Sequence, residues 1–208
     1  MVKTILCFGD SNTWGYDPAT QSRLSINERW AGVLRNELGS EYWVIEEGLN
    51  GRTTVFDDPL GDYKNGKEYI IPCIQTHAPI DLVVIMLGTN DLKKRFSLPA
   101  IDIARGAEVL VNLVKNSQAG PDGQTPQILL LAPPPVHEVA SNAEGFEGAA
   151  EKSKKFGDYY GNVAKQTECH FLNTADVIQS SKIDGIHFEV QEHEKLGKKV
   201  AEFVRGIF

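Results

Sequence analysis

Apolar runs without polar alternation recur along the chain. The clearest are LVVIM at 82–86 and ILLL at 128–131. A strand that is apolar on both faces is typical of a parallel sheet covered by helices on each side. Together with shorter runs of the same kind, they predict five strands, over 3–8, 42–46, 81–87, 127–132 and 170–173.

Between the predicted strands, apolar residues recur at helical spacing. A stripe from Trp30 to Leu38 predicts a first helix, which Asn27 would cap and Gly39 would end. Pro99 suits the first turn of a second helix, whose apolar stripe runs over 103–114. Each helix follows a strand, as in a βαβ unit.

The second half of the chain continues the alternation. A third helix is predicted over 146–163 and a last one from about Val190. Two long irregular stretches, 56–66 and 133–148, are of the length that usually carries function or contacts. We therefore expect an α/β protein, a three-layer sandwich whose five-stranded parallel sheet has helices on both faces.

Composition narrows the class of protein. With 208 residues, 41% of them hydrophobic and 24% charged, the chain fits one soluble globular domain over residues 1–208. A net charge of −7 and the absence of a long basic cluster disfavour nucleic acid as a partner. No apolar run approaches membrane-spanning length and none resembles a signal peptide, so we expect a cytoplasmic protein.

The three cysteines show no ligand-type spacing. Cys7, Cys73 and Cys169 each lie in or beside apolar segments and form no CxxC pair. They are expected to be small buried thiols in a reducing compartment. The histidines match no recognised zinc motif either. The sequence thus predicts no disulfide and no metal.

Polar residues follow the predicted strands where chemistry is expected. In a parallel sheet, ligands bind outside the carboxyl ends of the strands. Ser11 follows the first strand, Gly51 the second and Asn90 the third, while Asp184 and His187 lie three residues apart before the last helix. We expect these side chains to meet at one edge of the sheet.

These residue types meet the requirements of acyl transfer. Ser11 would be the nucleophile, His187 the base that takes its proton, and Asp184 the carboxylate that orients the base. Backbone N–H groups of Ser11 and Gly51, with the amide of Asn90, would form an oxyanion hole. No cofactor is needed for this chemistry.

The motifs resemble the SGNH, or GDSL-like, hydrolase family. "ILCFGDSNTWGY", "VIEEGLNGRTT", "LVVIMLGTND" and "DGIHF" are similar to its bacterial arylesterase and acyltransferase branch. The resemblance implies a flavodoxin-like SGNH hydrolase fold and a homo-oligomer. It also implies hydrolysis of short, often acetyl, esters of aryl or carbohydrate alcohols, with possible acyl transfer. Asn12 departs from the usual Leu beside the nucleophile, and with Trp14 it is expected to contact substrate. Tyr16 could supply apolar wall to the same pocket, although core packing explains both aromatic residues equally well.

Other interpretations remain open from the residues. Alone, Ser11 would be an ordinary turn residue, and Asn90 a helix cap. A thioesterase or lysophospholipase would share every predicted catalytic residue. A non-catalytic flavodoxin-like protein could hold a flavin phosphate at Ser11, Asn12 and Thr13, but Asp10 would place negative charge there.

Overall fold

A five-stranded, wholly parallel sheet lies at the centre of the fold. The computed structural model describes residues 2–139 and 141–208. The strands follow the spatial order β2-β1-β3-β4-β5, and each predicted strand is confirmed to within two residues. Their bounds are β1 Lys3–Gly9, β2 Tyr42–Gly48, β3 Leu82–Met86, β4 Gln127–Ala132 and β5 His170–Asn173.

Helices cover both faces of this sheet. α2 and α7 pack on one face, and α3, α4 and α6 on the other, which confirms the three-layer α/β sandwich. No helix in the described residues is long and apolar enough to span a membrane. The helices are α1 Ser11–Trp14, α2 Trp30–Leu38, α3 Gly66–His77, α4 Ala100–Lys115, α5 Ala149–Ser153, α6 Phe156–Thr167 and α7 Val190–Ile207.

Burial on two faces explains the unbroken apolar strands. In β1, Leu6 and Phe8 point into the core beneath α3 and α4, whereas Ile5 and Cys7 point into the core beneath α2 and α7. Successive side chains of a strand face opposite sides, so every position of a doubly covered strand has to be apolar. All four of these side chains are fully buried.

The predicted helices need three corrections. α2 begins at Trp30 with Arg29 as its N-cap residue, so Asn27 does not cap it; the Asn27 amide oxygen instead accepts from Arg35 and Asn36. The helix predicted over 146–163 is broken into α5 and α6. The helix α3 was not predicted at all.

Tyr160 fixes the end of β3. Its side chain is fully buried, and its hydroxyl donates to the Leu87 carbonyl at 2.7 Å. Gly88 follows with φ +128°, and a Cβ there would lie 2.2 Å from the Tyr160 hydroxyl oxygen. The close approach and the positive φ both require glycine, and this turn leads directly to Asn90.

Removing the Tyr160 hydroxyl should destabilise the fold. Tyr160→Phe leaves the buried Leu87 carbonyl without its donor, so we expect the free energy of unfolding to fall by about 1–3 kcal/mol. Urea denaturation measures the change. The matched control is Tyr159→Phe on the same helix, where the side chain is only partly buried. Equal stability of Tyr160→Phe and wild type would contradict this account.

Candidate active site

Ser11, His187 and Asp184 form a chain of contacts at the carboxyl edge of the sheet. Ser11 is the first residue of α1, directly after β1 and Asp10. Its Oγ lies 2.9 Å from Nε2 of His187, and Nδ1 of His187 lies 2.6 Å from Oδ2 of Asp184. The structure thus brings together all three residues that were predicted to be catalytic.

Backbone hydrogen bonds hold the Asp184 carboxylate in place. The N–H groups of Ile186 and His187 donate to its Oδ1 at 2.9 and 3.0 Å, leaving Oδ2 for the imidazole. Gly185 adopts φ +75°, and a Cβ there would lie 2.0 Å from the His137 carbonyl oxygen. Only glycine fits this turn.

The same contacts keep Asp184 ionised. Partial burial disfavours the charge, but the hydrogen bonds from the His187 ring and from two backbone N–H groups outweigh it and lower the pKa of this carboxyl. A carboxylate paired with one imidazole nitrogen fixes the ring orientation and stabilises the imidazolium when the other nitrogen takes a proton. The geometry suits a serine nucleophile with a histidine base.

Asp10 shapes the turn that presents Ser11. It is the N-cap residue of α1, and its Oδ1 accepts from the Asn12 N–H at 2.9 Å. Burial raises the pKa of Asp10 to about 6, although this hydrogen bond opposes the shift. The carboxylate thus orders the backbone around Ser11 and takes no direct part in the Ser11–His187 contact.

The predicted oxyanion donors face the same cleft as Ser11. Asn90 Nδ2 donates one hydrogen to the Arg52 carbonyl at 3.0 Å, and its second amide hydrogen stays available. Gly51 adopts φ +82°. Within residues 2–139 and 141–208, no acceptor pairs with the backbone N–H of Ser11 or of Gly51. Three donors are therefore available to a developing negative charge.

Asp91 ties the two loops that carry Gly51 and Asn90. Its fully buried carboxylate accepts from the Thr54 N–H at 3.0 and 3.1 Å and from the Thr54 hydroxyl at 2.5 Å. Burial raises the pKa of Asp91 to about 6, and the Thr54 hydrogen bonds oppose that shift. The loop after β2 is thereby held beside the loop after β3.

A cleft of about 290 Å³ opens over these groups. The Tyr16 ring lies against the His187 imidazole, with 4.2 Å between centroids. A larger concavity of about 760 Å³ lies at α6 and β5 and contains none of the predicted site residues. Cavity volume alone therefore does not identify the predicted site. The cleft is lined by Ser11, Tyr16, Asn50, Gly51, Asn90, Lys93, Phe146, Ile186 and His187.

The two residues predicted to contact substrate do not line this cleft. Asn12 is buried, and its amide donates to the Ile186 carbonyl at 3.4 Å. Trp14 packs under the Arg23 guanidinium, 4.8 Å from the ring centroid. Their substrate-binding role stays a prediction.

Four lining residues were not predicted as site residues from the sequence, namely Asn50, Lys93, Phe146 and Ile186. Asn50 had a signal, because it directly precedes Gly51. Ile186 had a signal, because it lies between Asp184 and His187. Lys93 had a weaker one, because it follows Asn90 closely in the loop after β3. Phe146 had none, since only the course of the long loop after β4 brings it to the cleft.

Comparison with known proteins assigns the family. The profile of the GDSL-like Lipase/Acylhydrolase family matches residues 7–194. The chain belongs to this family. As a GDSL hydrolase it is a carboxylic ester hydrolase, and the matched span runs from within β1 into α7, so it includes every residue of the Ser11–His187–Asp184 chain. No curated protein matches the sequence.

Solved structures of similar proteins cover the whole chain. The aryl esterase of M. smegmatis is 40% identical, with 100% of both chains covered and a TM-score of 0.95. A carbohydrate acetylesterase from Sinorhizobium meliloti is 37% identical, with 99% of this chain and 100% of that chain covered and a TM-score of 0.95. This GDSL hydrolase therefore has the SGNH hydrolase fold.

The raised pKa of Asp91 makes a testable contribution to stability. The folded value of about 6 exceeds the ordinary value of 3.8, so folding favours the protonated form. That contribution is complete below pH about 4 and is lost as the pH rises through about 6. It is worth about 3 kcal/mol at most, and Asp91→Asn, which stays neutral, should lose this part of the pH dependence.

Urea unfolding between pH 4 and 7 measures this difference in slope. Asp10 has the same sign of shift and remains in the variant, so the slope should be reduced and not abolished. Asp122→Asn, at an exposed position, is the control and should follow wild type. If Asp91→Asn also follows wild type, Asp91 titrates alike in the folded and unfolded chains.

Proposed function

We propose that this GDSL hydrolase is a serine esterase that cleaves short-chain carboxylic esters through an acyl-enzyme on Ser11. The observation that carries the proposal is the 2.9 Å contact between Ser11 Oγ and His187 Nε2. A hydroxyl is a weak nucleophile until a base accepts its proton. An imidazole at hydrogen-bond distance, itself held by a carboxylate, is the arrangement that supplies this base.

The first half of the reaction forms the acyl-enzyme. Ser11 Oγ attacks the ester carbonyl while His187 Nε2 takes the hydroxyl proton, and Asp184 stabilises the imidazolium that results. The carbonyl oxygen becomes an oxyanion within reach of the Asn90 amide and the N–H groups of Ser11 and Gly51. The carbon–oxygen bond to the alcohol then breaks, and His187 returns the proton to the leaving alcohol.

The second half releases the acyl group. Water enters the cleft, gives a proton to His187 and attacks the acyl carbonyl, and the free acid departs as Ser11 regains its proton. An alcohol in place of water would give acyl transfer by the same steps. We include acyl transfer in the proposal because the same serine, histidine and aspartate would act on either hydroxyl donor.

The dimensions of the cleft support a short acyl group. Its volume of about 290 Å³ is at the lower end of small-molecule sites. Tyr16, Phe146 and Ile186 supply apolar wall near Ser11, which suits an acetyl or similarly short chain. The similar proteins from M. smegmatis and Sinorhizobium meliloti are described as an aryl esterase and a carbohydrate acetylesterase, so aryl and carbohydrate acetates are the proposed substrates.

A homo-oligomer acting in the cytoplasm completes the proposal. Leu60 and Tyr63, in the irregular stretch 56–66, expose 79% and 90% of their surface. Large apolar side chains that protrude from one loop are typical of contact surfaces.

A thioesterase or lysophospholipase would use the same residues with a longer acyl pocket. A flavin-binding protein would leave the Asp184–His187 pair unexplained.

Ser11→Ala should abolish ester hydrolysis without unfolding the protein. We expect wild type to hydrolyse p-nitrophenyl acetate best and to lose kcat/KM as the acyl chain lengthens to octanoate, because the cleft is small. Without its nucleophile the variant should lose about 10⁵- to 10⁶-fold in kcat, the order seen for other serine hydrolases. Acetylated sugars belong in the same panel, with released acetate as the readout.

The control is Ser40→Ala, which changes an exposed serine between α2 and β2 and should keep full activity. Full activity of Ser11→Ala would overturn the mechanism. A preference of wild type for octanoate over acetate would overturn the short-chain assignment and favour the lysophospholipase alternative. Faster cleavage of acyl thioesters than of oxygen esters would favour the thioesterase.

A further inference from the structure

Three ligand-type side chains converge away from the active-site cleft. Glu47 lies near the end of β2, and Cys73 and His77 lie four residues apart on α3, a spacing that places them on one face of the helix. One donor atom from each of the three lies within 4.8 Å of the other two. Within the described ranges 2–139 and 141–208, no other group of His, Cys, Asp and Glu side chains converges in this way.

The cluster is ordered by its own contacts. His77 Nε2 lies 2.8 Å from Glu47 Oε1, and the Cys73 thiol is buried beside the same carboxylate. The Tyr69 hydroxyl donates to the other carboxylate oxygen, Glu47 Oε2, at 3.4 Å. Metal-binding carboxylates characteristically have such an outer hydrogen-bond partner.

Solvent reaches the cluster from one side. The side chains of His77 and Glu47 are 22% and 21% exposed, while Cys73 forms the closed inner end. A cavity of about 530 Å³ borders Glu47, Arg52 and Tyr69. An ion could therefore reach the cluster from the side of Glu47 and His77.

We propose that Glu47, Cys73 and His77 bind a divalent transition-metal ion of the zinc class. Thiolate and imidazole are ligands that zinc and cobalt accept, whereas magnesium and calcium require a set of oxygens. Three protein ligands with one open position match a four-coordinate tetrahedral ion. The present donor separations of 4.8 Å or less need only small side-chain movements for all three atoms to reach about 2.0–2.3 Å from one ion.

Binding has to release the thiol proton. A cysteine binds such an ion as the thiolate, so the bond to sulfur forms as the S–H proton passes to solvent. The thiolate and the Glu47 carboxylate together offset the ion's two charges; His77 binds as neutral imidazole, and Tyr69 stays protonated as an outer donor.

The ion would join the edge strand β2 to α3. The Glu47 carbonyl accepts from Arg52, whose guanidinium also donates to the Gly9 carbonyl at 2.9 Å. Gly9 precedes Asp10 and Ser11, so the metal cluster and the nucleophile turn share one buried arginine. The inference concerns binding to the free protein and does not depend on the proposed esterase function.

Cobalt(II) titration of the reduced, chelator-treated protein tests the proposal. Wild type should bind one equivalent and develop a thiolate-to-cobalt charge-transfer band in the near ultraviolet, with visible bands of a tetrahedral ion. Cys73→Ser should lose the charge-transfer band. His77→Gln changes a partly exposed position and should therefore still fold. Loss of an outer hydrogen-bond partner typically weakens metal binding by about 10- to 100-fold, and loss of the His77 ligand should weaken it by more.

The matched controls replace a cysteine and a histidine outside the cluster. Cys169→Ser and His170→Gln should keep both the band and the wild-type affinity. Zinc should compete with cobalt and raise the Tm of wild type but not of His77→Gln. Absence of the band in wild type, or unchanged affinity in His77→Gln, would overturn the proposal whatever the esterase assays give.

Discussion

The contact between Ser11 and His187 joins residues 176 positions apart, and the rest of the fold is arranged so that it can form. The position of Ser11 is set by β1, a central strand between β2 and β3. The position of His187 is set by α7, which packs closely on α2, because a Cβ on Gly197 would lie 2.6 Å from the Trp30 carbonyl oxygen. Buried His193 accepts from the Trp30 N–H at 3.2 Å, and burial lowers its pKa to about 3, so it stays neutral.

The sheet could be predicted from the sequence because a strand that is buried on both faces has to be apolar throughout, a signal that needs no tertiary information. The helix α3, Gly66–His77, could not, because Pro72 lies inside it and its apolar stripe is short. The N-cap residue of α2 is Arg29, two residues after the predicted Asn27. The break between α5 and α6 was not predicted, since helical spacing alone does not show a turn between two helices.

The residues of the candidate site that follow strands could be predicted from the sequence. Parallel strands end at one edge, so Ser11, Asn90 and His187 could be expected to meet from their places after strands. The lining residue Phe146 comes from a long loop whose course no local pattern determines. The approach of Glu47 to Cys73 and His77 could not be predicted for a related reason: Glu47 comes from β2, and the spacing of the two helix residues matches no recognised metal motif.

The proposed mechanism requires that Ser11 is the nucleophile and that His187 is the base that activates it. Mass spectrometry after treatment with a fluorophosphonate ester tests it directly, because such reagents phosphonylate an activated serine and not an ordinary one. The account predicts one adduct, located on Ser11, that forms rapidly in wild type and at least about 10³-fold more slowly in His187→Ala. Labelling of another serine, or an unchanged rate in His187→Ala, would contradict it.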